Sequence, residues 1–183
     1  LAQRGFDVIA SMRDPAAGGN LPSRVGKGTI EVRRLDVTKP ETIEIPKKLR
    51  VLVNNAGVEG PYLPVESAPI ELWREMFETN LFGLIEVTRR AIPALRQAKG
   101  SVLCNITSCS TLLPVPFFAA YRASKAAVSA LSESLRTELA PFGVRLLDIA
   151  PGAIGTDMLS GSQRPPEAIH CEGYEPMAQQ LHA

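Results

Sequence analysis

Histidine, cysteine and net charge are scarce in this sequence of 183 residues. It contains two histidines, both in its last stretch, so a histidine-based triad or zinc site has little support. The three cysteines, Cys104, Cys109 and Cys171, are odd in number and lack metal-ligand spacing, which favours reduced thiols in a cytoplasmic protein without a metal site. A formal net charge of +1 argues against a nucleic-acid binder, which normally carries a basic excess.

Long apolar runs are also missing. No run approaches the roughly 20 residues that a membrane-spanning helix requires, so we expect no membrane span. Hydrophobic residues nevertheless make up 45% of the chain and charged residues 21%, which is the range of globular domains. The length suits one domain with a buried core.

Short runs rich in Val, Ile and Leu alternate with helical stretches. The predicted strands are residues 7–12, 29–35, 51–53, 101–106 and 144–149. Apolar residues recur at helical intervals over 71–98 and 121–140, and 175–183 is predicted to be a short helix. The alternation predicts an α/β fold with a doubly wound, mostly parallel sheet in a single domain. Such sheets bind ligands beyond the carboxyl ends of their strands.

Tyr121 and Lys125 are candidates for acid–base chemistry. They are four residues apart in a helical stretch, so their side chains share one face. A phenol ionises near a pKa of about 10, and we expect the neighbouring ammonium to lower that pKa towards the range that a general acid or base needs. The alternative is a surface tyrosine with a solvated lysine one turn away.

Other polar residues strengthen this pair. Ser108 directly follows a predicted strand, and Asn80 lies inside a predicted helix on a partly apolar surface. Taken alone, Asn80 is better interpreted as a hydrogen-bonded core amide. Residues 54–57 form a turn that could lie against a cofactor or simply end a strand.

Together these motifs resemble those of the short-chain dehydrogenase/reductase family. The matching segments are 35–38 (LDVT), 54–57 (NNAG), Asn80, Ser108, 121–125 (YRASK) and 151–156 (PGAIGT). The resemblance covers residues 1 to about 160, which we assign to a Rossmann-like domain. Residues 161–183 are assigned to a mobile substrate-loop and tail region of the same domain.

The resemblance implies an oxidoreductase acting on CH–OH groups, which interconverts a secondary alcohol and a ketone. Tyr121 would exchange a proton with the substrate oxygen, and Ser108 would hydrogen-bond that oxygen. Lys125 would lower the tyrosine pKa and hold the nicotinamide ribose. Asn80 would anchor a water that links Lys125 to solvent.

The resemblance also implies a nicotinamide cofactor. Besides Tyr121 and Lys125, its contacts would be Asp36 and Val37 at the adenine, Asn54, Ala56 and Gly57 at the adenosine, and Pro151, Gly152, Ile154 and Thr156 at the nicotinamide. The family usually has an acidic residue for NAD(H) where this chain has Arg13. A guanidinium suits the 2′-phosphate, so we expect NADP(H) rather than NAD(H). The alternative is an Arg13–Asp14 pair in a solvated turn.

The sequence departs from the family in three places. The first strand and the glycine-rich turn have no counterpart, the crossover 36–51 is short, and 27 residues follow Thr156. We therefore expect the chain to be the sequence of a longer enzyme with segments left out.

Substrate and partners follow from the same resemblance. The apolar segment 112–118 (LLPVPFF) would border the cleft and favour an apolar carbonyl or alcohol substrate, unless it is a buried packing loop. The predicted helices 71–98 and 121–140 resemble those that pair between subunits, which favours a homodimer or homotetramer. Two alternatives remain: a beta-oxoacyl-carrier reductase, and a non-catalytic nucleotide-binding or regulatory protein.

Overall fold

A computed structural model describes residues 1–155 and 166–182. Thr156 and residues 161–165 of the predicted mobile loop lie outside the described residues. The chain divides into a first unit, Leu1–Glu44, and a second unit, Ile45–Ala183. Within the described residues, no helix is both long and apolar enough to cross a bilayer.

The first unit holds a small mixed sheet. Its strands are β1 (Val8–Met12), β2 (Arg24–Val25) and β3 (Gly28–Arg34), in the order β1-β3-β2. β1 pairs with β3 in parallel, and β2 pairs with β3 as an antiparallel hairpin. β1 and β3 confirm two predicted strands. β2 was not predicted, because two residues are too few to show an alternating pattern.

The crossover after β3 is short, as predicted. Between β3 and the next strand the chain forms one 3₁₀ turn, Pro40–Thr42, and no longer helix is described there. The Asp36 side chain accepts bonds from the backbone N–H of Thr38 at 3.0 Å and from its hydroxyl at 2.7 Å. A turn closed by its own side chains replaces the helix that a crossover usually carries.

The second unit holds a parallel sheet with helices in its crossovers. Its strands are β4 (Val51–Asn54), β5 (Val102–Ile106) and β6 (Arg145–Ile149), in the order β4-β5-β6. Both strand pairs are parallel, which confirms the predicted α/β class with a mostly parallel sheet. The helices are α1 (Ile70–Phe77), α2 (Leu84–Gln97), α3 (Ala119–Leu139) and α4 (Glu175–His182).

The core of the second unit lies between the sheet and helices α2 and α3. Its buried members are Ala91, Leu95, Leu103, Leu135, Leu139, Val144 and Leu146. Consecutive right-handed crossovers in one direction place their helices on the same face, which explains why α2 and α3 share this core. The apolar stripe predicted for α3 is confirmed, since Leu135 and Leu139 are buried while Glu133 and Arg136 are exposed.

The long helix predicted over 71–98 is confirmed as an unbroken helical run from Ile70 to Gln97, but it is not α-helical throughout. α1 and α2 are separated by a π-helical segment, Glu78–Gly83, which contains Asn80. A π-turn adds one residue to a helical turn, and such a shift is invisible to a pattern that repeats every 3.6 residues. Pro93 lies inside α2, which continues to Gln97.

A buried chain of polar side chains joins two strands to two helices. The Asn54 amide donates to Thr88 at 2.8 Å and to the Asn105 carbonyl oxygen at 2.9 Å. The Asn105 amide donates to the Ser132 hydroxyl at 2.8 Å, and Ser132 donates to the Val128 carbonyl at 2.8 Å. Buried polar groups are costly unless they are hydrogen-bonded, so this network is satisfied by links among its own members and the adjacent backbone.

We expect Asn105→Leu to lower the free energy of unfolding by about 1–3 kcal/mol. The substitution removes the hydrogen bonds that the Asn105 side chain makes with Asn54 and Ser132 in the buried core. The measurement is urea unfolding followed by circular dichroism, read as a lower midpoint at unchanged slope. Asn20→Ala, which removes an exposed amide, is the control. Equal midpoints for Asn105→Leu and the unmodified protein would contradict the prediction.

Candidate active site

Ser108 begins a short turn at the carboxyl end of β5. Its side chain accepts a bond from the backbone N–H of Ser110 at 3.2 Å and so caps the 3₁₀ turn Cys109–Thr111. The backbone N–H of Cys109 donates to the Pro151 carbonyl at 3.0 Å. The loops that follow β5 and β6 are therefore tied together at the edge of the sheet where ligands bind in this class of fold.

Tyr121 and Lys125 lie on one face of α3, as predicted. The Lys125 ammonium is 5.9 Å from the centre of the Tyr121 ring. It donates a hydrogen bond to the Ile106 carbonyl at 3.0 Å, and its residue is only 5% exposed. Lysine is rarely buried to this degree, so a solvated surface lysine is excluded.

The pKa of the Tyr121 phenol is raised, mainly because burial disfavours the phenolate. Hydrogen bonding with Ser108 lowers it, and the charge of Glu59 raises it further. The expectation that Lys125 lowers this pKa is therefore not confirmed. Burial is the largest cause of the shift in the phenol pKa, and burial also lowers the pKa of the Lys125 ammonium. The phenol is consequently protonated at neutral pH.

Asn80 is a fully hydrogen-bonded buried amide. Its carbonyl oxygen accepts from the backbone N–H of Val58 at 2.8 Å, and its NH₂ group donates to the Val58 carbonyl and to the Ser124 hydroxyl, both at 2.9 Å. Ser124 in turn donates to the Tyr121 carbonyl at 2.7 Å. This matches the interpretation of Asn80 as a core amide, and it links the π-helical segment to the helix that carries Tyr121. Anchoring of a water by Asn80 stays a prediction.

Gly57 lies close to both Lys125 and Asn80. A Cβ added at Gly57 would lie 3.2 Å from the Lys125 nitrogen and 3.3 Å from the Asn80 side-chain oxygen. The glycine is needed here for close approach, not for an unusual backbone conformation. The turn 54–57, the π-helical segment and α3 therefore converge on the lysine ammonium.

The other residues predicted to bind cofactor in the second unit differ in exposure. Asn54 is buried in the polar network, where it braces β4, whereas Ala56 is exposed. Gly152 and Ile154 are exposed beyond β6, and no atom lies within 4 Å of a Cβ placed at Gly152. Lys125 has three N–H donors, and among the described residues only the Ile106 carbonyl accepts one of them. These features fit a nucleotide lying across this edge.

Arg13, Asp36 and Val37 belong to the first unit. Arg13 directly follows β1 and is exposed, while Asp36 and Val37 are half-buried after β3. The bonds from Thr38 lower the pKa of Asp36, with a smaller contribution from the charge of Arg13. Asp14 caps the 3₁₀ turn Pro15–Gly18, and in the described part of the chain no ion pair joins it to Arg13. The alternative of an Arg13–Asp14 pair is therefore wrong.

Sequence reasoning missed two residues of this site. Ser124 connects Asn80 to the backbone of Tyr121, and Glu59 acts on the phenol through its charge. A small polar residue just before Lys125 on the buried helix face was the available signal for Ser124. No local pattern marks Glu59, because a long loop brings it to the site.

Comparisons with known proteins agree with this arrangement. A family model described as short chain dehydrogenase matches residues 1–167. The chain belongs to the short-chain dehydrogenase family. Estradiol 17-beta-dehydrogenase 2 of Rattus norvegicus is 36% identical over 174 residues, which cover 89% of this chain and 45% of the rat protein.

Solved structures of the family confirm the doubly wound, Rossmann-like fold class. The 3-ketoacyl-(acyl-carrier-protein) reductase of Brucella melitensis, complexed with NADH, has a TM-score of 0.80 at 26% identity and covers 87% of this chain and 70% of its own. A short chain dehydrogenase of Burkholderia cenocepacia J2315, in complex with NADP, has a TM-score of 0.76 at 28% identity, covering 97% and 82%. The chain spans about half the length of the curated relatives it matches.

Lys125 makes stability depend on pH. Burial holds its folded-state pKa below the ordinary value of 10.5. Just below pH 10.5 the unfolded chain therefore binds more protons than the folded one, and the free energy of unfolding rises with pH. Below the folded-state pKa both states carry the ammonium, so this contribution becomes constant and the burial cost is complete.

We expect Lys125→Met to remove this rise. The free energy of unfolding of the unmodified protein minus that of the variant should increase as pH approaches 10.5. Urea unfolding at a series of pH values measures the difference. Lys99→Met, which removes an exposed lysine, controls for the change in net charge. A pH-independent difference for Lys125→Met would refute the assignment.

Proposed function

We propose that this protein is an oxidoreductase that interconverts a secondary alcohol and a ketone with NADP(H). The observation that carries the proposal is the half-buried, protonated phenol of Tyr121, hydrogen-bonded with Ser108 and one helical turn from a buried ammonium. A neutral phenol is a proton donor, and a hydroxyl beside it can bind the same substrate oxygen. A non-catalytic protein would have no need of this grouping.

The residues divide the work of the reaction. Ser108 holds the carbonyl oxygen, and Tyr121 gives it a proton in the reductive direction and receives one in the oxidative direction. The cofactor supplies or accepts the hydride when bound. Lys125 would hold the nicotinamide ribose through N–H donors that the Ile106 carbonyl does not use. Asn80 anchors a water through which Lys125 exchanges protons with solvent.

The residues proposed to bind the cofactor are those that the sequence predicts in each unit. Asp36 and Val37 would contact the adenine, while Asn54, Ala56 and Gly57 would line the adenosine. Pro151, Gly152, Ile154 and Thr156 would hold the nicotinamide. Arg13 selects NADP(H), because an exposed guanidinium at the end of β1 can pair with a 2′-phosphate. Solved relatives carry either NADH or NADP, so this selection rests on Arg13 alone.

An apolar substrate is supported by the segment after Ser108. Leu112 and Leu113 are 74% and 65% exposed, which argues against a buried packing loop for this part of the segment. Farther along, Phe118 stacks on Tyr62 with ring centres 4.1 Å apart. The backbone N–H of Ala168 donates to the Tyr62 carbonyl at 3.0 Å, which brings the tail to this aromatic pair. A rat relative is named for estradiol, an apolar alcohol.

The carrier-linked alternative receives no support from charge. An acidic carrier would need a basic patch, but the adjacent cations Arg89 and Arg90 both pair with Glu86. Their charge is therefore partly neutralised on their own helix.

We further propose a cytoplasmic homodimer or homotetramer assembled through the helices of the second unit, with residues 161–183 forming the substrate loop and tail.

Tyr121→Phe should abolish turnover while keeping cofactor binding. Loss of the proton donor should lower kcat by at least about a hundredfold, because general acid catalysis contributes on this scale. NADPH oxidation with a panel of apolar ketones measures turnover, and NADPH fluorescence measures binding. Tyr174→Phe removes a phenol that donates to Glu66 at 2.8 Å and is the control. Retained turnover in Tyr121→Phe would sink the proposed function.

Arg13→Glu should weaken NADPH binding by about tenfold or more and leave NADH binding nearly unchanged, because only NADPH carries the 2′-phosphate. Titration of both cofactors against both proteins measures the change. Arg24→Glu, the same charge reversal at an exposed site in the same unit, is the control. If Arg13→Glu weakens both cofactors equally, Arg13 does not select between them.

A further inference from the structure

Arg122 connects the helix that carries Tyr121 to the turn that carries Ser108. Its Nε donates to the Ser110 carbonyl at 2.7 Å, and its guanidinium also donates to the Thr111 carbonyl at 3.3 Å. Both acceptors belong to the 3₁₀ turn that Ser108 caps. The side chain therefore spans directly between the two elements that supply the proton donor and the substrate-oxygen ligand.

The position of Arg122 needs an explanation. It is the fourth residue of α3, where the partial positive charge of the helix start disfavours a cation. It is half-buried, and no carboxylate pairs with it among the residues that the structure describes. Its stabilisation therefore comes from the two carbonyls of the turn.

Among the residues that the structure describes, few other hydrogen bonds hold that turn in place. The hydroxyl of Thr111 donates to the Ser108 carbonyl at 2.8 Å, but this bond lies within the turn and fixes its shape alone. One backbone bond, from Cys109 to Pro151 at 3.0 Å, ties the turn to the loop after β6. Apart from the hydrogen bonding between Ser108 and Tyr121, the two bonds from Arg122 are those that join the turn to α3 within the described residues.

We propose that Arg122 is a positioning residue that sets the distance between the Ser108 hydroxyl and the Tyr121 phenol, a role that rests on the proposed function. Its guanidinium bonds to the backbone of the turn, so its effect is on the position of the turn. Without its guanidinium the turn can move away from α3. Ser108 and Tyr121 then no longer meet the same substrate oxygen.

The test is a double-mutant cycle with Arg122→Met and Ser108→Ala. Arg122→Met alone should lower kcat by about tenfold to a hundredfold, as expected for a small misplacement of a reacting group, with an unchanged pH profile and unchanged NADPH affinity. In the Ser108→Ala background the same substitution should have no further effect on kcat, because Arg122 acts through Ser108. Arg122→Lys, which can reach one carbonyl, should recover part of the loss.

Arg136→Met is the matched control, since Arg136 is exposed on the same helix and should leave kcat unchanged. Losses in kcat that add in the double mutant would overturn the proposal, as would a shifted pH profile in Arg122→Met. If Arg122→Met only impaired folding, it would lower the amount of active protein in both backgrounds. The losses in apparent kcat would then add in the double mutant, which would also overturn the proposal.

A measurement without turnover separates this proposal from the proposed function. Cys109 lies in the turn and is half-buried, whereas Cys171 lies elsewhere and is also half-buried. Arg122→Met should raise iodoacetamide labelling of Cys109 by about tenfold, as the turn opens more often, and leave Cys171 unchanged in peptide mass spectra. If Arg122→Met speeds the labelling of Cys109 but the unmodified protein reduces no ketone, the proposed oxidoreductase function is rejected. The role of Arg122 in holding the turn is then retained. Unchanged labelling would reject the role of Arg122.

Discussion

The buried amide of Asn105 is the contact on which the second unit depends. It lies on the central strand and joins Asn54 on β4 to Ser132 on α3. Side-chain amides in a core accept few geometries, so this link fixes the rotation of α3 above the sheet as well as its distance. A purely apolar core would tolerate a small slide of the helix, and such a slide would carry Tyr121 with it. The ends of β4 and β5 therefore stay in register with the helix that bears Tyr121.

Burial then sets the protonation states at the site. It raises the pKa of the Tyr121 phenol and lowers that of the Lys125 ammonium, so each group moves towards its neutral form. Ser108 opposes the first shift and Glu59 reinforces it. A phenol in this state is ready to donate a proton to a carbonyl oxygen. Lys125 lies close to Gly57 and donates a hydrogen bond to the Ile106 carbonyl, which fixes the position of its ammonium.

Much of the fold was predictable because its signals are local. Five short apolar runs gave five strands, and the stripe on α3 identified its buried face. The π-helical segment was not predictable, since one extra residue in a turn leaves the apolar spacing almost unchanged. In the site, Tyr121 and Lys125 were placed correctly by their spacing. The direction of the phenol pKa was predicted wrongly, because spacing gives neighbours but not the depth of burial or the approach of Glu59 from a distant loop.

One helix connects the scaffold to the chemistry. Ser129 and Ser132 fasten the middle of α3 to the sheet, through Asp148 on β6 at 2.6 Å and through Asn105 on β5 at 2.8 Å. Nearer its start, Ser124 fastens it to Asn80 at 2.9 Å. A helix held at several points along its length cannot pivot, so displacement of the site must come from the loops that meet it. The turn that carries Ser108 is such a loop. Its geometry therefore decides how far the Ser108 hydroxyl lies from the Tyr121 phenol.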